Sequence, residues 1–141
     1  MILTDTNVLL HAVNEDSPRH ETAREWLNAA LSGAEVVGFA WTALLGFLRI
    51  ATKEMVFPNP LTPGDALDLV DDWLACPLTA ILDPGDGHAA IVRELIERAG
   101  TAGDLTSDAH LAAIAIERGA RIATFDTDFH RFHGLRVDYL G

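Results

Sequence analysis

Met1-Ile2-Leu3-Thr4-Asp5-Thr6-Asn7-Val8-Leu9-Leu10 opens the chain with a short apolar run that stops abruptly at an acid. The run reads as a buried strand, and Asp5 sits at its C-terminal end. Thr6-Asn7 then starts a helix carried by Val8, Leu9, Leu10 and Val13. A strand that feeds a helix through an acid is half of a parallel-sheet unit, and a second half lies far away in sequence. Arg121-Ile122-Ala123-Thr124 is again a short apolar strand, and it runs into Phe125-Asp126. A short helix through Phe129 and Phe132 and a last strand near 135–137 follow.

Between these two units the pattern keeps alternating. Ser17-Pro18 predicts a capped helix that runs through Ala23, Trp26, Leu27, Ala30 and Leu31 to Gly33. Residues 36–39 read as a strand. The helix predicted over 41–51 is apolar on nearly every side, which predicts deep burial. Pro58-Asn59-Pro60 and Thr62-Pro63 break the chain only briefly before helical spacing resumes at Ala66, Leu67, Leu69, Val70, Trp73 and Leu74. A strand over 79–82, a helix over 87–99 and a turn over 100–103 come next. A helix capped by Asp104 or Thr106 then runs to a glycine stop at Gly119. Strands alternating with helices predict one α/β domain over residues 1–141, with a central, mostly parallel sheet flanked by helices.

Composition narrows the function. With 49% apolar and 22% charged residues and no apolar run long enough for a membrane span, the expectation is a globular protein with no membrane partner. The N-terminus reaches Asp5 without the basic, apolar and small-residue order of a secretory leader, and Cys76 is the single cysteine. Both point to the cytoplasm and exclude an internal disulfide or a cysteine zinc site. A net charge of -11 argues against a generic nucleic-acid coat but not against an enzyme that collects carboxylates around a divalent ion.

Functional groups of open parallel sheets gather beyond the strands' C-terminal ends. Asp5 and Asp126 both occupy such ends, and Asp108 lies early in the helix that leads to the Asp126 strand. Asp128 and Asp104 are close enough in sequence to join them. Taken singly, each acid reads more readily as a helix cap, a first-turn acid or a turn residue. Together they would repel one another unless a cation intervened, and an oxygen-only set suits Mg2+ or Mn2+. Thr6, Asn7 and Thr124 are candidates to hydrogen-bond a phosphate or a ligating carboxylate. The six histidines show no clean metal spacing, and His110, two positions after Asp108, is the one to watch. No phosphate loop or nucleophile elbow is present.

Four segments in order resemble the PIN-domain ribonucleases, and within them the VapC toxins of prokaryotic toxin–antitoxin pairs. They are Leu3 to Leu9, Trp41 through Phe47-Leu48-Arg49 to Thr52, Leu105 to Ala113, and Ala123-Thr124-Phe125-Asp126-Thr127-Asp128-Phe129. The resemblance implies a PIN-like fold, Mg2+- or Mn2+-dependent endonucleolytic cleavage of RNA that inhibits translation, a cognate antitoxin that blocks the site, and a homodimer. It matches Asp5, Asp108 and Asp126 to the family's acids as metal ligands, with Asp128 beside them as a candidate to orient water or a second ion. One position departs: many members carry a glutamate where this chain has Gly46. That departure motivates the alternative of a catalytically weak binding module acting through its partner. An aspartate-based phosphatase, suggested by Asp5-Thr6-Asn7, is a further alternative.

Overall fold

The computed structural model describes residues 1–54 and 57–141. Five short strands form one sheet: β1 (Ile2–Thr4), β2 (Val37–Phe39), β3 (Thr79–Ile81), β4 (Arg121–Thr124) and β5 (Val137–Tyr139). Their order is β3-β2-β1-β4-β5, and all four pairings are parallel. The order reverses at β1, so the C-terminal ends of β1 and β4 flank a switch point where such sheets leave a crevice. In register, Leu3 faces Ile122 and Thr4 faces Ala123, which sets Asp5 beside the end of β4.

Six helices cover the sheet: α1 (Thr6–Val13), α2 (His20–Leu31), α3 (Trp41–Ala51), α4 (Pro63–Leu74), α5 (His88–Ala99) and α6 (Thr106–Arg118). Strand side chains alternate between faces, so successive residues enter different cores. Ile2 packs with Phe39, Leu9, Leu27, Leu44 and Phe47. Leu3 packs with Ile122, Leu95, Leu111 and Ile114 on the other face. Trp73 of α4 joins the first core, 4.9 Å edge-on from Phe47 and 6.4 Å in a stack with Phe39. Gly38 is required by this packing, since a Cβ there would lie 2.6 Å from Leu82 Cδ1. Away from the crevice, Arg121 binds both carboxylate oxygens of Glu35 and, through Nε at 2.7 Å, Asp138. No helix among the described residues is long and apolar enough to cross a membrane.

Four expectations need correction. The second helix starts at His20 rather than at Ser17-Pro18, because Ser17 Oγ instead accepts from the Arg19 amide (3.0 Å) and closes a turn ahead of it. Neither Asp104 nor Thr106 caps α6: a 3-10 turn, Gly103–Leu105, runs straight into it and its N-cap is Leu105. The last strand begins at Val137, after a turn through Gly134 (φ 81°) has used up Leu135. Helix α3 is buried on one side only. Trp41 and Leu45, one turn apart, are 46% and 57% exposed, because no element among the described residues covers that face.

Thr4 is fully buried in β1, and its hydroxyl has no hydrogen-bond partner among the described residues. An unsatisfied buried hydroxyl costs about 1–3 kcal/mol. Thr4→Val keeps the shape and the β-branch, so it is expected to raise unfolding stability by about 1 kcal/mol, read as a higher urea midpoint at unchanged slope. A lower midpoint would show that the hydroxyl is satisfied.

Candidate active site

Asp5 is the N-cap of α1 and is only 8% exposed. Its Oδ1 accepts from the Thr6 amide at 2.7 Å. Its Oδ2 accepts from Thr124 Oγ1 at 2.7 Å and from Asn7 Nδ2 at 3.1 Å. Three of its roughly four lone-pair positions are thus filled, and the remaining one is on Oδ1. Asn7 completes a brace: its Nδ2 also donates to Thr124 Oγ1 (3.2 Å), and its Oδ1 accepts from the Phe125 amide (3.2 Å). Thr124 Oγ1 accepts in turn from the Asp126 amide at 2.9 Å. Asn7 and Thr124 therefore serve a carboxylate, as one of their two expected roles required, while Thr6 contributes its amide.

Asp126 caps the 3-10 turn Thr127–Arg131, with Oδ1 accepting from the Asp128 amide at 2.9 Å. Its Oδ2 has no protein donor among the described residues. Asp108 stands in the first turn of α6, as expected, and neither of its oxygens has a protein donor among the described residues. It shares a cavity of about 230 Å³ with Asp5, Gly46, Arg49 and Ser107.

Electrostatics tie the acids together. Burial, then the charges of Asp5, Asp126 and Asp128, push the Asp108 carboxyl up to about 7. Burial also raises Asp5, with Asp126 adding to it and hydrogen bonds from Thr124, Thr6 and Asn7 opposing it. Asp5, Asp126 and Asp128 thus all act on the Asp108 carboxyl, although Asp128 is exposed. Asp104 is exposed and exerts no comparable effect on Asp108. His110 turns away to α5, where its Nδ1 meets His88 Nε2 at 2.8 Å and His88 Nδ1 meets Glu117 at 2.9 Å.

The donor set has the chemistry of a hard cation site: carboxylate oxygens, unpaired with any Lys, Arg or His among the described residues, held near one another against their own repulsion. No three acidic, histidine or cysteine side chains among the described residues converge tightly enough to enclose an ion by themselves. By donor chemistry, carboxylate oxygens suit a hydrated Mg2+ or Mn2+ better than a closed zinc centre. The phosphatase reading needs an accessible nucleophile at Asp5, and burial with three accepted hydrogen bonds disfavours it.

Gly46 sits opposite this site on α3. A Cβ there would lie 3.1 Å from Thr6 Oγ1 and 3.2 Å from its Cγ2, while Thr6 Oγ1 donates to Ala43 O of the same helix at 3.0 Å. Glycine allows the start of α1 to press against α3. The residue that sequence reasoning missed is Arg49. The available signal was its helical spacing from Gly46, three residues away on the same face.

This fold and site define a class. The chain matches the PIN domain family over residues 2–135 and belongs to it. Within that family it belongs with the VapC ribonucleases. It is 48% identical to Ribonuclease VapC37 of Mycobacterium tuberculosis, over 98% of this chain and 96% of the relative. It is 42% identical to Ribonuclease VapC33 of the same organism, over 96% and 95%. Among solved structures it resembles VapBC2 from Rickettsia felis bound to a promoter DNA fragment (TM-score 0.72, 17% identity, 99% and 98% coverage). It also resembles VapC20 of Mycobacterium tuberculosis, a sarcin-ricin loop cleaving toxin (TM-score 0.64, 18% identity, 96% and 99% coverage).

The raised carboxyls set a pH dependence whose sign follows from which state holds the extra proton. Asp108 titrates at 3.8 when unperturbed and at about 7 in the folded cluster. Between those values the folded state binds more protons, so stability falls as pH rises, and Asp5 acts in the same direction. His11 and His110, lowered from 6.5 chiefly by burial, tilt the other way as pH drops below that value. The effect is therefore read as a difference. In chelator, Asp108→Asn should gain melting temperature over the parent progressively from about pH 4 to about pH 7. A difference that stays flat across this range would show an ordinary carboxyl at 108.

Proposed function

We propose that the protein is a divalent-metal-dependent endoribonuclease, the toxin of a toxin–antitoxin pair, which cleaves RNA by phosphodiester hydrolysis and so inhibits translation. The observation that supports this reading is the cavity shared by Asp5 and Asp108 at the switch point of the sheet, where burial and the charges of Asp5, Asp126 and Asp128 raise Asp108 to about 7. Membership in the VapC ribonucleases supports the substrate class.

Asp5, Asp108 and Asp126 are the residues that would hold Mg2+ or Mn2+, directly or through water. Bound there, the ion supplies Lewis-acid polarisation of the scissile phosphate and a more acidic attacking water. The rest is the work of the chain. Thr124 and Asn7 lock the Asp5 carboxylate in one rotamer. The Asp128 amide fixes Asp126 through one oxygen and leaves the other for ligation. The exposed Asp128 carboxylate is placed to orient water at the mouth of the cluster.

The antitoxin reading follows from the same field. A basic segment can set an Arg or Lys against the carboxylates in place of the metal's charge. The apolar part of such a segment fits the uncovered face of α3 at Trp41 and Leu45. Support comes from the VapBC assembly among the structural neighbours.

The test is cleavage of a total RNA pool with Mg2+, with Mn2+ and with chelator, beside Asp5→Asn. Discrete products are expected with metal alone, and the variant should lose at least about 100-fold in rate, beyond the roughly 10- to 100-fold typical of groups that only orient a ligand. Thr124→Val, which removes such an orienting group, should fall within that smaller range. Cleavage that survives in chelator, or a folded Asp5→Asn of full activity, would overturn the mechanism.

A further inference from the structure

The chain has ten lysines and arginines against twenty-one acids, so where its free cations stand is informative. Arg24, Arg93, Arg98 and Arg121 are paired with acids. Arg118, Arg131 and Arg136 donate to backbone carbonyls, and Arg19 lies over the Phe125 ring, 5.1 Å from its centroid. Arg49 and Lys53 have no such partner among the described residues. They are four residues apart at the end of α3, where Lys53 N continues the turn by donating to Ile50 O at 3.1 Å.

Arg49 is a wall of two adjoining cavities. One, of about 230 Å³, holds Asp5, Asp108 and Gly46. The other, of about 270 Å³, passes between α3 and α4 along Leu48, Thr52, Pro63 and Leu67. Arg49 lines both, so the two cavities meet at its side chain, and a groove running through them would leave the acids past Gly46. A cation in a helix's last turn gains something from the helix dipole wherever it stands, but that does not put it on the rim of a carboxylate cavity. Gly46 keeps it available: an acidic side chain at that position, one turn away, would pair with Arg49.

We propose that this groove is the path of single-stranded RNA away from the cut, and that Arg49 holds a backbone phosphate next to the scissile one. The inference rests on the nuclease reading and deepens it. The acid cluster with its ion takes the reacting phosphate, and the one free guanidinium on the rim takes a neighbour, so the strand is held on both sides of Gly46.

The experiment uses a fluorescein-labelled, mixed-sequence single-stranded RNA and the Asp5→Asn protein with Mg2+. Binding is read by anisotropy over a series of salt concentrations. Adding Arg49→Gln should weaken binding about 10-fold, the scale of a lost charge-assisted hydrogen bond. It should also reduce the slope of log affinity against log salt by about 0.7, one phosphate contact on a single strand. Arg49→Lys should keep the slope, and Arg93→Gln on α5 should change neither quantity. In the active protein, Arg49→Gln should raise KM for the RNA pool far more than it lowers kcat. An unchanged slope in Arg49→Gln, with cleavage still dependent on Asp5, overturns the subsite and leaves the nuclease standing. A parent that neither binds nor cleaves RNA overturns both.

Discussion

The hydrogen bond from Thr124 Oγ1 to Asp5 Oδ2 is 2.7 Å long and joins residues 119 apart in sequence. It exists because β1 and β4 pair in parallel and in a register that ends both strands at the same level. Everything at the site depends on that pairing. Asn7 reaches Asp5, Thr124 and the Phe125 amide only because the two strand ends are adjacent. Asp126 is brought close enough to act on Asp5 and Asp108 by the same alignment. A one-residue slip would send every β1 side chain to the opposite face, so the packing of Ile2 and Leu3 into their separate cores holds the position of the carboxylate.

An acidic protein that acts on a polyanion faces a simple electrostatic problem, and the fold addresses it locally. Among the described residues no arginine forms an ion pair with the acids at the crevice, Arg49 on the cavity wall included. Their repulsion is carried by the carboxyl with the fewest hydrogen bonds, Asp108, which holds its proton up to about 7. A site in that condition would gain from a divalent cation, as the proposed mechanism requires, and such a cation would reverse the field seen by a phosphate. Cations elsewhere are committed to structure: Arg121, for example, joins Glu35 to Asp138 across the sheet, far from the crevice. Few positive groups are left to guide a nucleic acid, which gives the position of Arg49 its weight.

The sequence shows the alternation of strands and helices because each strand is a few apolar residues and each helix repeats its apolar positions at helical spacing. Helix α3 was legible at both ends, yet its burial was misjudged. Periodicity reports how apolar a helix is, but not whether a neighbour covers each side, and no element among the described residues covers Trp41 and Leu45. Ser17 and Asp104 were misread for a related reason. Residues that cap helices also close turns, and the choice depends on backbone geometry set by the following segment.

Taken alone, the sequence determined the kind of chemistry: acids at the ends of two apolar strands and at the start of a helix, in a chain with no other reactive constellation. Local pattern suffices for this, because a strand end and a first helical turn are defined by their neighbours. Only the tertiary structure decided which acids meet, that Asp104 stays outside while Asp128 acts at the rim, and that His110 belongs to a network with His88 and Glu117. It also set Arg49 on the wall of the cavity that holds Asp5 and Asp108. Such relations are distances between residues far apart in the chain. They follow from strand order and helix packing, which the whole core sets at once and no single segment encodes.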